Sequence, residues 1–399
     1  MNETADVVIV GGGIEGAAAA WALAQRGVTD VFVAERNTVG SGMTGKSSGI
    51  VRCHYGVSSL AAMATVGLEV FEKAEEIFGH DIGFRQTGYV VGVGEPNVGS
   101  LRKSLAAQRA VGVQTEEIDA GDVARVWPFA DLSPFGAFAW EARGGFGDAY
   151  QTAQAFAVSA RAAGVRVRQG TAMTDLLLDG DRVTGVRLAD GTEVAAGTVV
   201  VATGVWTREL LARYGVDVPI RVVREQIVMI SPGVDIGPVP VFSDLVSLQY
   251  IRPEPGGSGT STVLFGNSDL SHVEDADPDD YLNRATEAFV DLTVDRVGTR
   301  FPGFTGAAIT GSYAGCYDVT PDWNPVISRT GIDGLVVAAG FSGHGFKIAP
   351  AVGRLVADLV VDGRSADPRI PETDFRLSRF AENDPLTSPY PYVGAGEMR

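Results

Sequence analysis

Apolar residues near the start of the chain follow the pattern of a β-strand, a helix and a second β-strand. The run "DVVIVG" (residues 6–11) is continuously apolar, which is typical of a parallel strand buried on both faces. The Ala-rich stretch 14–27 predicts a helix that stops at Gly27, and "DVFVAE" (30–35) predicts a second buried strand. Together these segments predict a βαβ unit.

Helix and strand patterns continue through the first half of the chain. Apolar positions with helical spacing share one face over residues 59–78, and Gly79 provides a stop signal. A second helix, rich in small residues, is predicted over 151–163. A β-meander follows over residues 172–204, with short strand patterns separated by Asp-Gly turns and ending in a buried strand.

The second half of the chain predicts a different kind of sheet. Alternating runs within residues 221–270 are typical of antiparallel strands with one covered face. A helix is predicted over 278–300 with Asp277 as its N-cap. The chain then passes through the apolar run 334–340 into a final helix, about residues 351–361.

The composition allows a large core and limits the partners. With 399 residues, 45% of them apolar, the chain is long enough for two or three lobes. Its net charge of −17 argues against nucleic acids and anionic membranes as partners. Cys53 and Cys316 are too far apart in sequence to indicate a disulfide framework or a metal-ligand pair, so no metal site is expected. Because neither a leader pattern nor an apolar run of about 18 residues is present, the sequence predicts a cytoplasmic protein.

A dinucleotide fingerprint follows the first strand. Gly11, Gly13 and Gly16 form G-x-G-x-x-G at a predicted helix start. Their roles are a tight turn, close approach of backbone to a pyrophosphate, and close packing of helix on strand. The pyrophosphate then meets the unpaired N–H groups of the helix N-terminus. Glu35 closes the second strand, where a carboxylate accepts hydrogen bonds from a ribose 2′-OH.

Three features favour FAD over NAD as the dinucleotide. The Gly-, Ser- and Thr-rich loop 40–52 can hydrogen-bond a ribityl chain. The meander returns to "VVVATG" (199–204) where FAD folds cross back to the nucleotide sheet. The glycine-rich segment 340–350 leads into the last helix, whose N-terminus can stabilise negative charge on a reduced flavin, although an ordinary strand-to-helix turn is the alternative. The predicted cofactor contacts are Gly11, Gly13, Gly16, Glu35, Arg36, Ser41, Gly42, Thr44, Lys46, Ser47, Ser48, Gly49, Ala202, Gly204, Gly343, Gly345, Phe346 and Lys347.

With both ends of the chain considered, the sequence resembles the D-amino-acid-oxidase-like FAD oxidoreductases. It is most similar to the sarcosine oxidase and N-methyl amino acid oxidase branch, which includes beta-type sarcosine oxidase subunits and dimethylglycine dehydrogenase-like proteins. The motifs that carry the resemblance are "VVIVGGGIEG", "SSGIVRCHYG", "VVVATGVW", "YDVTPDWNPVI" and "GFSGHGFKIAP". The resemblance implies an α/β fold with a discontinuous Rossmann-like FAD-binding domain and an α+β substrate domain whose antiparallel sheet roofs the flavin. The implied ranges are 1–85, 146–220 and 321–380 for the FAD-binding domain, 86–145 and 221–320 for the substrate domain, and 381–399 for an extended C-terminal arm.

The resemblance also implies catalytic residues. Arg52 and Lys347 match the pair that clamps the substrate carboxylate in sarcosine-oxidase-like proteins, and Arg is suited to bidentate pairing with a carboxylate. A structural ion pair for Arg52 and a surface position for Lys347 are the alternatives. His344 is a candidate for influencing amine protonation, with a packing role as the alternative. Tyr250 and Arg252 are expected to reach the pocket from the roof sheet, unless they belong to an ordinary strand face.

Three positions depart from the family pattern. Gly315 stands where covalent relatives carry the flavin-linking Cys, which favours non-covalent FAD, with a thioether shifted to Cys316 as the alternative. The residues at the position of a flavin-linking His are Gly45 and Lys46. Leu264 stands where oxidases of this branch use a Lys to promote reaction with O₂. Slow reaction with O₂ or a different electron acceptor is therefore expected, unless Lys46 supplies the cation.

These observations predict an FAD-dependent amine or amino acid oxidoreductase. A C–H next to a neutral amine nitrogen is expected to lose hydride to flavin N5, giving an imine, with electrons passed to O₂ or another acceptor. A monomer or homodimer acting on a small amine or amino acid is expected. The alternatives are an electron-transfer subunit of a larger sarcosine-oxidase-like complex and a biosynthetic enzyme that desaturates a bulky amine.

Overall fold

The computed structural model describes residues 3–254, 262–269 and 273–394. The helices in these ranges are α1 (Ile14–Gln25), α2 (Ser58–Glu72), α3 (Ala74–Phe78), α4 (Val98–Ala110), α5 (Ala120–Val126), α6 (Ala149–Ala162), α7 (Thr207–Ala212), α8 (Glu287–Arg300) and α9 (Gly345–Val361). The strands are β1 (Glu3–Thr4), β2 (Val7–Val10), β3 (Val31–Ala34), β4 (Ile50–Val51), β5 (Tyr89–Val93), β6 (Glu116–Ile118), β7 (Ala137–Glu141), β8 (Gly145–Phe146), β9 (Arg166–Arg168), β10 (Met173–Asp179), β11 (Arg182–Leu188), β12 (Glu193–Ala195), β13 (Thr198–Val201), β14 (Arg221–Ser231), β15 (Val241–Asp244), β16 (Gln249–Glu254), β17 (Thr262–Asn267), β18 (Glu274–Asp275), β19 (Ala308–Val319), β20 (Val326–Arg329) and β21 (Leu335–Ala339).

A six-stranded sheet in the order β20–β21–β13–β2–β3–β9 organises one part of the molecule. Its strands are parallel except at the β20/β21 edge. The strands predicted over 6–11 and 30–35 are confirmed as β2 and β3. On one face of the sheet, Ile9 and Val33 pack against α1, α2, α6 and α9. On the opposite face, Val8 and Phe32 pack against the meander β10–β12. Because both faces are covered, the strands are continuously apolar.

Two helices near this sheet differ from the predicted ranges. The single helix predicted over 59–78 is wrong, because Lys73 (φ −101°, ψ 18°) interrupts it and separates α2 from α3. The helix predicted over 151–163 is confirmed as α6, which begins after Asp148. Asp148 caps it because its Oδ1 accepts a hydrogen bond from the Gln151 backbone N–H at 2.9 Å.

The last helix begins before its predicted range of 351–361. It starts at Gly345 and contains Pro350. A side chain at Gly67 of α2 would begin only 2.0 Å from the backbone oxygen of Lys347, so α2 lies directly against the first turn of α9. The glycine and proline spacing at the start of α9 favours a turn. Packing against α2 nevertheless holds these residues in a helix.

A nine-stranded sheet organises the rest of the molecule. Its order is β18–β14–β17–β16–β15–β5–β7–β6, with β19 paired to β14. The antiparallel sheet predicted within 221–270 is confirmed for the described residues, although β15 and β5 pair in parallel. One face buries Trp127 and Phe301 among the residues packed on α8. The opposite face carries Tyr250 and Leu264.

The helix predicted over 278–300 is wrong in its first half. Helix α8 begins only after Thr286, whose hydroxyl accepts a hydrogen bond from the Phe289 backbone N–H at 3.2 Å. The predicted cap, Asp277, instead accepts a hydrogen bond from the Asp279 backbone N–H at 2.9 Å in a turn. The polar residues before α8 are used in contacts with the first part of the chain, which are described below.

The described part of the C-terminal arm, residues 381–394, lies along the molecule. The Leu386 backbone N–H donates to Asp322 Oδ2 at 2.9 Å. Further on, Tyr392 is buried and its hydroxyl lies 2.9 Å from His54 Nε2. The arm therefore reaches the loop that follows β4.

Within the described ranges, no helix is both long and apolar enough to cross a bilayer, and no three His, Cys, Asp or Glu side chains are grouped as metal ligands. Cys53 and Cys316 are buried and free.

Candidate active site

A groove of about 360 Å³ lies between the two sheets, at the carboxyl ends of β2, β3, β13 and β21. This edge of a parallel sheet is where α/β proteins bind ligands. Strands β14, β16 and β19 line its opposite wall. The predicted site residues in its lining are Gly11, Gly13, Glu35, Arg36, Gly42, Thr44, Lys46, Ser47, Ser48, Ala202, Gly204, Tyr250, Gly343, Gly345, Phe346 and Lys347.

Two of the fingerprint glycines, Gly11 and Gly16, are required by close backbone contacts. Gly11 has φ +102°, and a side chain there would begin 2.4 Å from the backbone oxygen of Ala202. Gly16 lies behind the groove lining, where a side chain would begin 1.9 Å from the backbone oxygen of Gly11. Gly13 is the N-cap of α1 and leaves the helix start open to the groove. This cradle fits a pyrophosphate.

Glu35 is fixed at the end of β3 with both carboxylate oxygens bonded. Oε2 accepts from the Gly12 backbone N–H and Oε1 from the Asn37 backbone N–H, each at 2.7 Å. The carboxylate still lines the groove, where it can accept a further bond from a ribose hydroxyl.

An aromatic and charged clamp lies at this same end of the groove. The Arg36 guanidinium stacks 3.8 Å from the ring centroid of Trp206. Trp206 Nε1 donates to the carboxylate of Asp279 at 3.1 Å. Asp279 belongs to the segment before α8, so this contact explains why that segment is not helical. Sequence analysis quoted the motif "VVVATGVW" but did not identify Trp206 as a groove residue.

The Ser-Gly-rich loop packs beneath β19. Thr44 Oγ1 accepts a hydrogen bond from the Ile14 backbone N–H at 3.0 Å, which ties the loop to the start of α1. A side chain at Gly315 would begin 2.8 Å from Lys46 Cβ, so the Lys46 stem packs directly against Gly315. Lys46 Nζ donates to Asn283 Oδ1 at 3.1 Å.

Two predicted residues of this loop have structural contacts behind the lining. Ser41 Oγ donates to the Thr38 backbone oxygen at 2.7 Å and is exposed. A side chain at Gly49, which has φ +69°, would begin 2.0 Å from the backbone oxygen of Gly147.

The start of α9 forms the far end of the groove. Gly343 has φ +82°, and a side chain there would begin 2.6 Å from Tyr317 Cε2. Lys347 is buried in the first turn, and its Nζ lies 3.4 Å from the Gly343 backbone oxygen. His344 is the N-cap of α9 and lies behind the lining, with Nδ1 3.2 Å from the Tyr55 hydroxyl.

Arg52 lies close to this end of the groove but behind its lining. The guanidinium donates to the His54 backbone oxygen and stacks 4.3 Å from the ring centroid of Tyr55. Since Tyr55 contacts His344, one aromatic ring separates Arg52 from the start of α9. Arg52 and Lys347 therefore lie on the same side of the molecule.

The roof of this end comes from β14, β16, β17 and β19. The Tyr250 ring lies on Gly266, where a side chain would begin 2.0 Å from Tyr250 Cζ. Burial raises the pKa of Glu225 to about 8. Burial, Tyr317 and Glu225 raise the pKa of Tyr250 well above its usual value. Leu264 is buried in an apolar cluster on the same face as Tyr250.

Arg252 lies on the same strand as Tyr250 and is also buried. Its guanidinium stacks 4.7 Å from the ring centroid of Phe146, and burial lowers its pKa. Arg252 lies outside the groove lining.

Besides Glu225, sequence analysis missed two acidic groove residues, Glu15 and Asp318. Burial raises the pKa of Glu15 well above its usual value, and repulsion by Asp318 raises it further. Attraction by Lys347 lowers the pKa of Glu15 and offsets part of this shift. Burial raises the pKa of Asp318 to about 6, although its carboxylate accepts a hydrogen bond from the Gly340 backbone N–H at 2.7 Å. The only sequence signal for Glu15 was an acidic residue within the fingerprint itself.

Comparison with known proteins agrees with this arrangement. The family model "FAD dependent oxidoreductase" (DAO) matches residues 6–359. The chain is 31% identical over 369 residues to 4-methylaminobutanoate oxidase (formaldehyde-forming) of Paenarthrobacter nicotinovorans, covering 89% of this chain and 43% of that protein. It is 28% identical to sarcosine oxidase subunit beta of Arthrobacter sp, covering 94% of this chain and 91% of the subunit.

A solved structure matches along nearly the whole length. L-proline dehydrogenase from P. horikoshii superposes with a TM-score of 0.87 at 27% identity, covering 96% of this chain and all of that one. The glycine cradle, the fixed Glu35 carboxylate and the long groove fit an FAD. The chain belongs to the FAD-dependent oxidoreductase (DAO) family, in its sarcosine-oxidase-like branch.

Proposed function

We propose that the protein oxidises the C–N bond of a small secondary amino acid, N-methylated or cyclic, to an imine. FAD, when bound, supplies N5 as the acceptor for the hydride that leaves the carbon next to the amine nitrogen. Sarcosine, proline and 4-methylaminobutanoate, which appear in the names of three relatives, are all secondary amines that carry a carboxylate. The substrate class rests on this shared chemistry and on the site residues.

The observation that carries the proposal is the pair of buried cations beside the start of α9. Lys347 lines the groove and can pair directly with a substrate carboxylate. Arg52 adds positive potential from behind Tyr55. A carboxylate substrate in the groove is attracted by this positive charge and can form charge-assisted hydrogen bonds with it.

Glu225 and Tyr250 are placed to prepare the amine. Hydride departure requires a neutral amine nitrogen, whereas a free amino acid enters largely as an ammonium ion. Burial raises the pKa of Glu225 to about 8, so its carboxylate form grows as the pH rises toward 8 and can then take a proton from the ammonium group. The Tyr250 hydroxyl, on the neighbouring wall of the groove, orients the substrate.

The test is anaerobic mixing of the purified yellow protein with a panel of amines. N-methyl amino acids and cyclic imino acids should bleach the flavin absorbance, and primary amino acids and amines without a carboxylate should act much more slowly. Bleaching by none of the secondary amino acids would refute the proposed substrate class. Admitting air afterwards measures the reaction with O₂, which we expect to be slow because Leu264 supplies no positive charge.

A second candidate is the flavin subunit of a larger complex, which is favoured by the match along 91% of a sarcosine oxidase beta subunit. In that case the acceptor is a partner protein and not O₂. Size-exclusion chromatography of the protein from its native source distinguishes this from a free monomer or homodimer. We infer a cytoplasmic location, which is supported by two buried cysteines that remain free thiols.

A further inference from the structure

Glu15 lies in the first turn of α1, between the second and third fingerprint glycines. It is 8% exposed and lines the groove. A side chain at Gly345 would begin 2.5 Å from Glu15 Oε1, so the carboxyl reaches from α1 to the start of α9.

Neither oxygen of this carboxyl has a hydrogen-bond partner among the described residues. The charged groups that act on it are Asp318, which repels its anion, and Lys347, which attracts it. A buried carboxyl without hydrogen bonds is costly, and native proteins usually satisfy such groups with protein, water or ligand. The groove that Glu15 faces therefore points to a ligand as its missing partner.

Its position identifies the part of the ligand. The fingerprint glycines at the start of α1 fit the pyrophosphate of FAD, and the glycine-spaced start of α9 fits the ring end. Glu15 connects these two places. Between pyrophosphate and ring, FAD carries the ribityl chain, whose hydroxyl groups both donate and accept hydrogen bonds.

We propose that the Glu15 carboxyl binds FAD by hydrogen bonds to its ribityl hydroxyls. The inference rests on family membership and on the proposed function, and it assigns a specific contact to a position that the G-x-G-x-x-G pattern leaves open. A neutral carboxyl suits this contact because it both donates and accepts.

The test uses Glu15→Met, which keeps an unbranched side chain but removes the polar atoms, and Glu15→Gln, which keeps an amide able to donate and accept. FAD dissociation constants are measured by titrating the apoproteins and following flavin fluorescence, and the apoprotein melting temperatures are measured alongside. We expect Glu15→Met to weaken FAD binding roughly 5- to 100-fold, from lost hydrogen bonds. The same variant should raise the apoprotein melting temperature, because it removes an unsatisfied buried carboxyl. Glu15→Gln should bind within roughly 3-fold of wild type.

Glu35→Gln is the matched control. Because both Glu35 oxygens already accept backbone hydrogen bonds, this change should lower the apoprotein melting temperature and weaken FAD binding together. In Glu15→Met, FAD affinity should fall while the apoprotein melting temperature rises. These opposite changes distinguish a ligand contact from a structural role.

Unchanged FAD affinity in Glu15→Met, or a joint fall of affinity and melting temperature, overturns the proposal. If Glu15→Met does not fold, loss of affinity in Glu15→Leu with retained affinity in Glu15→Gln supports it, and equal affinities overturn it. These binding measurements need no substrate. If the wild-type protein binds FAD but no amine bleaches the flavin, the proposed function is refuted. The FAD dissociation constants and melting temperatures of the Glu15 variants then still decide whether the Glu15 contact exists.

Discussion

Lys347 is the buried cation that lines the groove directly. Lys347→Met should raise the KM for a carboxylate substrate roughly 10- to 150-fold, because a charge-assisted hydrogen bond contributes about 1.5–3 kcal/mol. Steady-state kinetics with an N-methyl amino acid measure this. The matching amine without a carboxylate serves as the control substrate, and its weak turnover should not change. An unaltered KM for the amino acid would remove Lys347 from carboxylate binding.

The raised pKa of Glu225 predicts that the free energy of unfolding depends on pH. Burial raises its pKa in the folded protein from an ordinary value of 4.5 to about 8. The folded state therefore keeps a proton that the unfolded chain releases above pH 4.5. The contribution of Glu225 to the free energy of unfolding is fully present below pH 4.5. Its contribution is lost progressively as the pH rises toward 8, at up to about 1.4 kcal/mol per pH unit.

Melting temperatures of the apoprotein measured from pH 5 to pH 9 check this slope. Glu225→Gln cannot ionise, so the difference between variant and wild type should grow in favour of the variant as the pH rises toward 8. A difference that stays constant over this range would show that Glu225 is ionised in the folded protein.

The sequence predicted those site residues whose role depends on local backbone. Gly11 and Gly16 are required by a turn and a close backbone contact that are encoded within a few positions, and Glu35 closes the neighbouring strand. Glu225 and Trp206 were missed because their contacts with the groove depend on sheet pairing and on a segment far away in sequence. The role of Arg52 in binding the substrate carboxylate and the role of His344 in amine protonation stay predictions.

The geometry of β19 bears on the predicted non-covalent binding of FAD. Neighbouring residues of a strand point to opposite faces, and Gly315 pairs with Glu225 whereas Cys316 pairs with Arg224. The Cys316 side chain therefore lies on the strand face opposite that of Glu225, although Cys316 is one of the residues that line the groove. Burial also raises the pKa of its thiol to about 11, which leaves little of the reactive thiolate.

Acid precipitation should consequently release the FAD into the supernatant, and absorbance at flavin wavelengths measures its share. Cys316→Ser should release flavin to the same extent as the wild type. Yellow colour that remains in the wild-type pellet but not in that of Cys316→Ser would establish a shifted thioether instead.

The error in the predicted start of α8 has a tertiary cause. The sequence pattern predicts a helix from residue 278, but Asp279 and Asn283 accept hydrogen bonds from Trp206 and Lys46, which are distant in sequence. Those contacts outweigh a local helical preference, which contributes less than about 1 kcal/mol per residue. A single sequence carries no record of such partners, whereas the strands of the six-stranded sheet were predictable because both faces are apolar.

At the scale of the whole molecule, the C-terminal arm supports the Arg52 end of the groove. The Tyr392 ring stacks on His54, with centroids 6.1 Å apart, and its hydroxyl bonds His54 Nε2. From the other side, Gln108 Nε2 of α4 donates to the Tyr55 backbone oxygen at 3.1 Å. The loop that holds Arg52 is thus fixed between α4 and the arm.

Tyr392→Ala should free this loop and raise the KM for a carboxylate substrate roughly 3- to 30-fold, from the loss of one buried hydrogen bond and one aromatic contact. Val393→Ala is the matched control, because this neighbouring side chain is 76% exposed and should leave the kinetics unchanged. The double variant with Lys347→Met should show less than the product of the two single effects, since both changes act on the same carboxylate. If Tyr392→Ala lowers only the melting temperature and leaves KM intact, the arm stabilises the fold without positioning Arg52.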